Sequence, residues 1–355
     1  MEYCGSGNCY RKQHDYLEYF AGNMGIQNDW NPFHRIGRIC SLEKRMTKPE
    51  FFIAGAPKCG TTAMQEYLRQ HPGIFMPDMK EINHFADDLL KQDDPFLKRE
   101  RYLSLFEGAG ENQLAGEASV YYLFSKNAAR NIKSFCPGAK IIIMLRNPVD
   151  VLYSRHAQLV YNGAEDILDF EASLAAEEKR RNGELIPRNI RIEKKLLHRE
   201  VVKFTEQVRR YFDTFGRNHV HVIIYDDFKR DTAMVYRETL RFLHVDTGFR
   251  PDFKVINPNK RVRNRTLQRF LKTPPSLVRT IGKSLLPQSF RNVLLNRLRK
   301  LNTHYVSRQP MSPELRRRLQ EEFASEVKGL SELLGRDLNH WSTDKSIDAQ
   351  ETPEN

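Results

Sequence analysis

Apolar and polar positions follow two rhythms along this chain. Candidate strands fall at 51–55, 114–119, 140–145 and 220–225, and Ile141 to Leu145 is a short continuous apolar run. Such a run is expected of a parallel strand buried on both faces. The segments between them carry helical spacing. Met64, Tyr67 and Leu68 share one face after the first strand, and Phe170 with Leu174, then Val201, Phe204, Val208 and Phe212, continue the pattern. These aromatics read as core. Residues Thr232 to Leu243 read as a further helix. Strands alternating with helices predict an α/β fold, a parallel sheet with helices on both faces.

The ends of the chain behave differently. Residues 1–48 are polar and Gly/Asn-rich, the pattern of an irregular N-terminal arm, so the main domain is placed at 49–270. Leu277, Ile281, Leu285, Leu294, Leu298 and Leu301 interleave with Arg279, Lys283, Arg291, Arg297, Arg299 and Lys300, and Pro287 divides the stretch into two short helices. Residues 271–340 are therefore expected to form a basic helical extension packed on the domain. Residues 341–355 are polar without apolar periodicity and are expected to be a disordered tail.

Charge sharpens this division. The chain carries a formal net charge of +12, yet Lys260 to Arg318 alone holds sixteen Lys and Arg against one acid, Glu314. A basic C-terminal third implies an anionic partner, either an acidic acceptor or a membrane surface. No stretch approaches 18 uninterrupted apolar residues, and the N-terminus lacks the basic and apolar regions of a signal peptide; cytoplasmic residence is the expectation. The five cysteines, Cys4, Cys9, Cys40, Cys59 and Cys136, are odd in number and irregularly spaced, which argues against a disulfide framework. Cys4 and Cys9 lack a second Cys/His pair at metal-ligand spacing.

Two motifs carry chemistry. Phe51-Phe-Ile-Ala-Gly-Ala-Pro-Lys-Cys-Gly-Thr-Thr62 nearly matches the nucleotide-binding pattern G-x-x-x-x-G-K-[ST], but its lysine lies inside the loop, at Lys58. Backbone N–H groups at the following helix start, with the helix dipole, would bind an anion. The second motif is Lys140-Ile-Ile-Ile-Met-Leu-Arg-Asn-Pro-Val-Asp-Val-Leu-Tyr-Ser154. Asn147 and Pro148 read as N-cap and first residue of a helix. Arg146 then lies at the carboxyl end of a strand, where ligands sit in open α/β sheets. Ser154, about two turns on, faces the same crevice. An arginine with a hydroxyl grips a terminal phosphate well.

Together these motifs resemble the sulfotransferases that use 3′-phosphoadenosine 5′-phosphosulfate (PAPS). Met79-Lys-Glu-Ile-Asn-His-Phe85 is similar to the K-E-x-x-F-F-like segment of the branch holding heparan sulfate N- and 3-O-sulfotransferases and bacterial relatives. Val222-Ile-Ile-Tyr-Asp-Asp-Phe228 resembles the family's late strand and turn. The likeness runs from about residue 50 to about 270. It implies the P-loop NTPase-like sulfotransferase fold and PAPS as cosubstrate. It also implies that Lys58 with Cys59, Gly60, Thr61 and Thr62 hold the 5′-phosphosulfate, and that Arg146 with Ser154 hold the 3′-phosphate.

The chemistry so implied is in-line transfer of a sulfuryl group from PAPS to a hydroxyl or amine of a carbohydrate or other small acceptor. Lys58 would stabilise the leaving phosphate. Glu81 occupies the place of the base in the heparan sulfate-type branch, and His84 is the alternative, since other branches use histidine. No metal is expected, because Lys58, Arg146 and helix dipoles supply positive charge. Asp226-Asp227 reads as a helix start with N-cap function, not as a Mg2+ site. Either Arg261 or Arg263 would contact the 3′-phosphate. Two other readings stay open: a P-loop nucleotide kinase or NTPase, against which the missing lysine after Gly60 counts, and a basic protein that binds anionic surfaces. Nucleic acid is not an expected partner. Acceptor identity and oligomeric state are beyond the sequence.

Overall fold

The computed structural model describes residues 47–188, 190–254 and 309–342, together with the backbone of 260–262 and 303–305. Residues 1–46 of the arm, the basic stretch at 276–301 with Pro287, Arg263, Cys4, Cys9, Cys40 and residues 343–355 of the expected tail lie outside the described residues; the start of that tail needs correction, since Trp341 is buried at the end of a short helix, Asn339–Trp341.

Five parallel strands form the central sheet in the order β2-β3-β1-β4-β5. They are β1 (Phe51–Gly55), β2 (Ile74–Phe75), β3 (Leu114–Ala118), β4 (Lys140–Leu145) and β5 (Val220–Ile224). β1 is wholly buried and pairs with β3 on one side and β4 on the other. The four expected strands are present within a residue of their expected ends. β2 was not foreseen, because two residues cannot show a pattern. β5 stops at Ile224 since Tyr225 already opens a short helix, Tyr225–Arg230.

Parallel strands need crossovers, and helices supply them. The longer ones are α1 (Thr61–Arg69), α2 (Ala128–Phe135), α3 (Pro148–Asn162), α4 (Phe204–Phe215), α5 (Thr232–Leu243), α6 (Pro313–Glu322) and α7 (Ala324–Leu334). Met64, Tyr67 and Leu68 of α1 are buried together, as their spacing predicts. α3 starts as its sequence dictates: Pro148 takes the first position and Asn147 Oδ1 accepts from the Val149 N–H at 3.0 Å. α5 runs over the expected residues, capped by Asp231, which accepts from the Met234 N–H at 2.8 Å.

The reading of Asp226 and Asp227 as N-caps needs correction. Ile224 precedes the helix without a side-chain cap, and both aspartates lie in its first turn. They serve distant partners instead. Asp226 accepts from Trp341 Nε1 at 2.7 Å, and Asp227 pairs with Arg230 and Arg336. Through these contacts the C-terminal segment joins the core: Phe323, Val327, Leu330 and Trp341 are all buried. The same segment reaches the start of α3, where Asn147 Nδ2 donates to the Trp341 carbonyl at 2.9 Å. No helix among the described residues is long and apolar enough to cross a membrane.

The β1–β3 pairing depends on one small residue. Gly116 lies in register with Phe51, and any Cβ there would overlap the Phe51 ring. Gly116→Ala should therefore destabilise by about 3 kcal/mol, the upper end of overpacking costs. Urea denaturation checks this; a midpoint equal to wild type would show that Phe51 can move aside.

Candidate functional site

The site forms where β1 and β4 end side by side. The Ala56 N–H donates to the Met144 carbonyl at 2.7 Å, so the turn after β1 is fastened to the end of β4. Gly60 stands before α1 with φ of 91°, a left-handed conformation that glycine adopts without steric cost. No side chain caps α1. Its first N–H groups are thus directed at whatever occupies the crevice, the arrangement that binds phosphate oxygens.

Lys58 and Glu81 share an unusual backbone state. Both are non-glycine residues in the left-handed region, with φ of 67° and 61°, and Asn83 joins them at 59°. Such conformations cost about 1–3 kcal/mol each and gather at functional sites. Lys58 Nζ donates to Gln158 Oε1 at 3.3 Å, tying the β1 turn to α3. Ser154 is buried one helical turn before Gln158. Arg146, at the end of β4, pairs with Asp150 Oδ2 at 3.1 Å and lies over the Tyr225 ring at 5.0 Å. Asp150 is shared, because Arg316 of α6 pairs with its other oxygen at 3.1 Å.

Cys59 sits between these charges. Burial pushes its thiol up to about 12, against the opposing pull of Arg146 and Lys58. A neutral, buried thiol fills the turn and is not a nucleophile.

Lys80 was missed by sequence reasoning, although it stands directly before Glu81. Its Nζ donates to Thr62 Oγ1 at 3.0 Å and Thr61 Oγ1 at 3.3 Å, and lies 3.7 Å from Glu81 Oε1. Burial lowers its proton affinity, opposed by Glu81. This one ammonium joins the anion-binding turn to the carboxylate. The other Glu81 oxygen accepts from the Val120 N–H at 3.1 Å. Burial raises the Glu81 pKa, while Lys80, that N–H and Arg191 pull it down. Arg191 also clamps the segment, donating to the carbonyls of Glu81 at 2.9 Å and Ile82 at 2.8 Å while pairing with Asp94.

His84 is placed differently. Its ring stacks on Tyr102 at 4.1 Å, nearly parallel, and its Nδ1 lies 2.6 Å from the Phe96 carbonyl. A carbonyl only accepts, so Nδ1 carries the proton there. Burial lowers the His84 pKa.

Three cations gather near Glu81. Besides Arg191 there is Arg155, 1% exposed, whose NH1 lies 2.9 Å from His198 Nδ1. Lys195 is the third; burial first, then Arg155 and Arg191, bring its pKa down to about 8, and Glu81 opposes them. Among the described residues no group of three or more His, Cys, Asp and Glu side chains is placed to hold a metal ion.

Beneath the Glu81 segment lies a second carboxyl group, fully buried Glu117 on β3. Tyr102, Tyr122 and Ser119 all donate hydroxyls to it, at 2.8, 2.9 and 2.5 Å. Burial raises its pKa from 4.5 to about 7, against those three hydrogen bonds. Between these values the unfolded chain has lost this proton and the folded protein keeps it, so raising the pH favours unfolding. Relative to Glu117→Gln, the wild type should lose about 3 kcal/mol of stability between roughly pH 4.5 and 7. Denaturant titrations across that window check this; parallel curves for the two proteins would sink it.

Comparison with known proteins agrees with this geometry. The family model described as "Sulfotransferase domain" matches residues 48–331. A sulfotransferase structure from Alicyclobacillus acidocaldarius is 31% identical and superposes with a TM-score of 0.63, covering 84% of this chain and all of that one. Membrane-associated sulfotransferase kil1 of Dictyostelium discoideum is 35% identical over 115 residues, 32% of this chain and 23% of its own. Human heparan sulfate glucosamine 3-O-sulfotransferase 6 is 31% identical over 120 residues, 34% of this chain and 33% of its own. Mouse carbohydrate sulfotransferase 15 is 31% identical over 147 residues, 30% of this chain and 26% of its own. The matches to these curated relatives thus span a third or less of their length. With most of its length matched by the family model and a bacterial relative covered end to end, the chain belongs to the sulfotransferase family.

Proposed function

We propose that this protein transfers a sulfuryl group from PAPS to a hydroxyl or amine of a carbohydrate, with Lys58 and Lys80 at the donor and Glu81 as base. The reading rests above all on Lys80, whose Nζ contacts Thr61 and Thr62 on one side and Glu81 on the other. That contact sets a proton acceptor beside the anion-binding turn, as an in-line transfer needs.

The residues fit the cosubstrate. The uncapped start of α1, with the Thr61 and Thr62 hydroxyls, offers donors for a 5′-phosphate. Arg146 offers a guanidinium at the end of β4, with Ser154 buried on the neighbouring helix, and these would hold the 3′-phosphate. Bound PAPS supplies a sulfuryl group whose leaving group is a phosphate.

The chain's own groups do the rest. The Lys58 and Lys80 ammonium groups stabilise negative charge that grows on the donor side during transfer. Gln158 fixes Lys58 for that task. Glu81 takes the acceptor's proton, and its raised pKa makes it a better base than a solvated carboxylate. Arg155, Arg191 and Lys195 give the acceptor side positive potential, which favours an acidic carbohydrate. The name of human heparan sulfate glucosamine 3-O-sulfotransferase 6 supports a glycan acceptor.

Two measurements test the proposal. Calorimetric titration should show tight binding of 3′-phosphoadenosine 5′-phosphate, weak binding of AMP and none of ATP–Mg2+, with Arg146→Ala losing at least about tenfold in affinity. Preference for ATP–Mg2+ would return the kinase reading. With radiolabelled PAPS and a panel of neutral and acidic oligosaccharides, Glu81→Gln should lower turnover by about 10²–10⁴ and leave cosubstrate affinity near wild type. Normal turnover in that variant would move the base to His84 or elsewhere.

A further inference from the structure

Three contacts of the segment carrying Glu81, two from backbone N–H groups and one from a ring, lead to one buried group. The Asn83 N–H donates to Ser119 Oγ at 3.0 Å, and that hydroxyl donates onward to Glu117 Oε1. The Phe85 N–H reaches Tyr122 Oη at 3.5 Å, and that hydroxyl donates onward to Glu117 Oε2. Between them, the His84 ring lies flat on Tyr102, whose hydroxyl also donates to Glu117 Oε2. No cation pairs with Glu117 among the described residues. Its partners are three hydroxyls.

This pattern has a directional logic. A hydroxyl has one proton and two lone pairs, so it donates once and accepts elsewhere. An ionised carboxylate only accepts, which obliges all three hydroxyls to turn their protons toward it. Ser119 and Tyr122 are then left with lone pairs for the amides of Asn83 and Phe85. A group at position 117 that carries its own proton would compete, turning one hydroxyl around and leaving an amide without an acceptor.

We infer that Glu117 is a positioning residue: buried beneath the site, it orients in its ionised form the Ser119, Tyr122 and Tyr102 hydroxyls so that they hold the Glu81–Phe85 segment in its left-handed course. Glu117 touches neither donor nor acceptor. It acts through the loop. Its value as part of the catalytic apparatus rests on the reading of Glu81 as base, but the ordering of the loop does not.

Amide hydrogen exchange on the full chain, read by mass spectrometry at several pH values, tests this without an acceptor. In Glu117→Gln, a near-isostere, peptides spanning 81–86 should exchange about five- to tenfold faster, the loss of one hydrogen bond. Peptides over β1 and β4 should stay as protected as in wild type, and binding of 3′-phosphoadenosine 5′-phosphate should be unchanged. Ser119→Ala, which removes the hydroxyl that joins the Asn83 N–H to Glu117 and leaves both tyrosines in place, should loosen the same peptides and decides the matter should Glu117→Gln fail to fold.

The titratable groups facing Glu117 are Tyr102, Tyr122, Tyr211 and Glu81. Burial holds all three tyrosines above their ordinary values, which leaves Glu117 as the group among them that titrates near neutrality; burial also raises Glu81. Wild-type protection at 81–86, corrected for the intrinsic exchange rate, should therefore fall below about pH 7, and the fall should be absent in Glu117→Gln. Unchanged exchange at 81–86 in both variants would overturn the inference. So would a loss of protection spread evenly over the sheet, which would make Glu117 a part of the general core. Failure of the base assignment itself would show separately, as normal turnover in Glu81→Gln.

Discussion

The chemistry of this protein hangs on the pairing of β1 with β4. Two parallel strands in register end at the same edge of the sheet, so the turns that leave them are neighbours without further design. Their register slips between Ile53 and Gly55, where the chain begins to turn, and the Ala56 N–H closes the gap onto Met144. From β1 the chain first builds β2 and β3 on one side, then crosses to build β4 and β5 on the other. A crevice opens at such a reversal, and the helices that follow both strands start beside it. α1 and α3 thus aim their positive ends at one place. Lys58 and Arg146 are brought there, around Cys59, by elements whose positions the sheet already determines.

That dependence explains what could be read in the sequence. Wherever a signal was local, it was legible: the buried run of β4, the Asn147–Pro148 helix start, and the bounds of α5 all follow from adjacent residues. The partners of the charged side chains were not legible, because folding makes them. Lys58 meets Gln158 a hundred positions along the chain. Asp226 and Asp227 look like caps in sequence because acids after a strand commonly are; Trp341 and Arg336, more than a hundred residues away, claim them instead. Lys80 carried only a weak signal, a base beside an acid, and the two threonines it contacts belong to another motif. The left-handed backbone of Lys58 and Glu81 left no trace, since neither residue type announces it.

Those two left-handed residues pose an energetic question. A conformation costing a kcal/mol or more is held only where its surroundings over-determine it. At Lys58 the hold comes from the fastened end of β4 and from Gln158. At Glu81 it comes from above and below: Arg191 binds two successive carbonyls, and the Val120 N–H takes one carboxylate oxygen. The hydroxyls gathered on Glu117 secure the residues that follow. The sheet, through β3, thereby carries Glu81 as firmly as β1 and β4 carry the turn at Lys58.

The closeness of Lys80 to Glu81 then needs a physical reason, because a tight ion pair would make the carboxylate less basic. The distances supply one. Lys80 lies nearer the two threonine hydroxyls than the carboxylate, and burial outweighs its pull on Glu81, leaving the carboxyl pKa raised. A cation so shared responds to charge on either side. On the proposed reading, negative charge growing at the α1 turn draws the ammonium toward the threonines and lessens its hold on Glu81, so the carboxylate grows more basic as the acceptor gives up its proton. On the same reading the two halves of the transfer are linked through a single side chain. A free lysine in solvent would be screened and could not provide this coupling; a buried one, with its proton affinity already lowered, can.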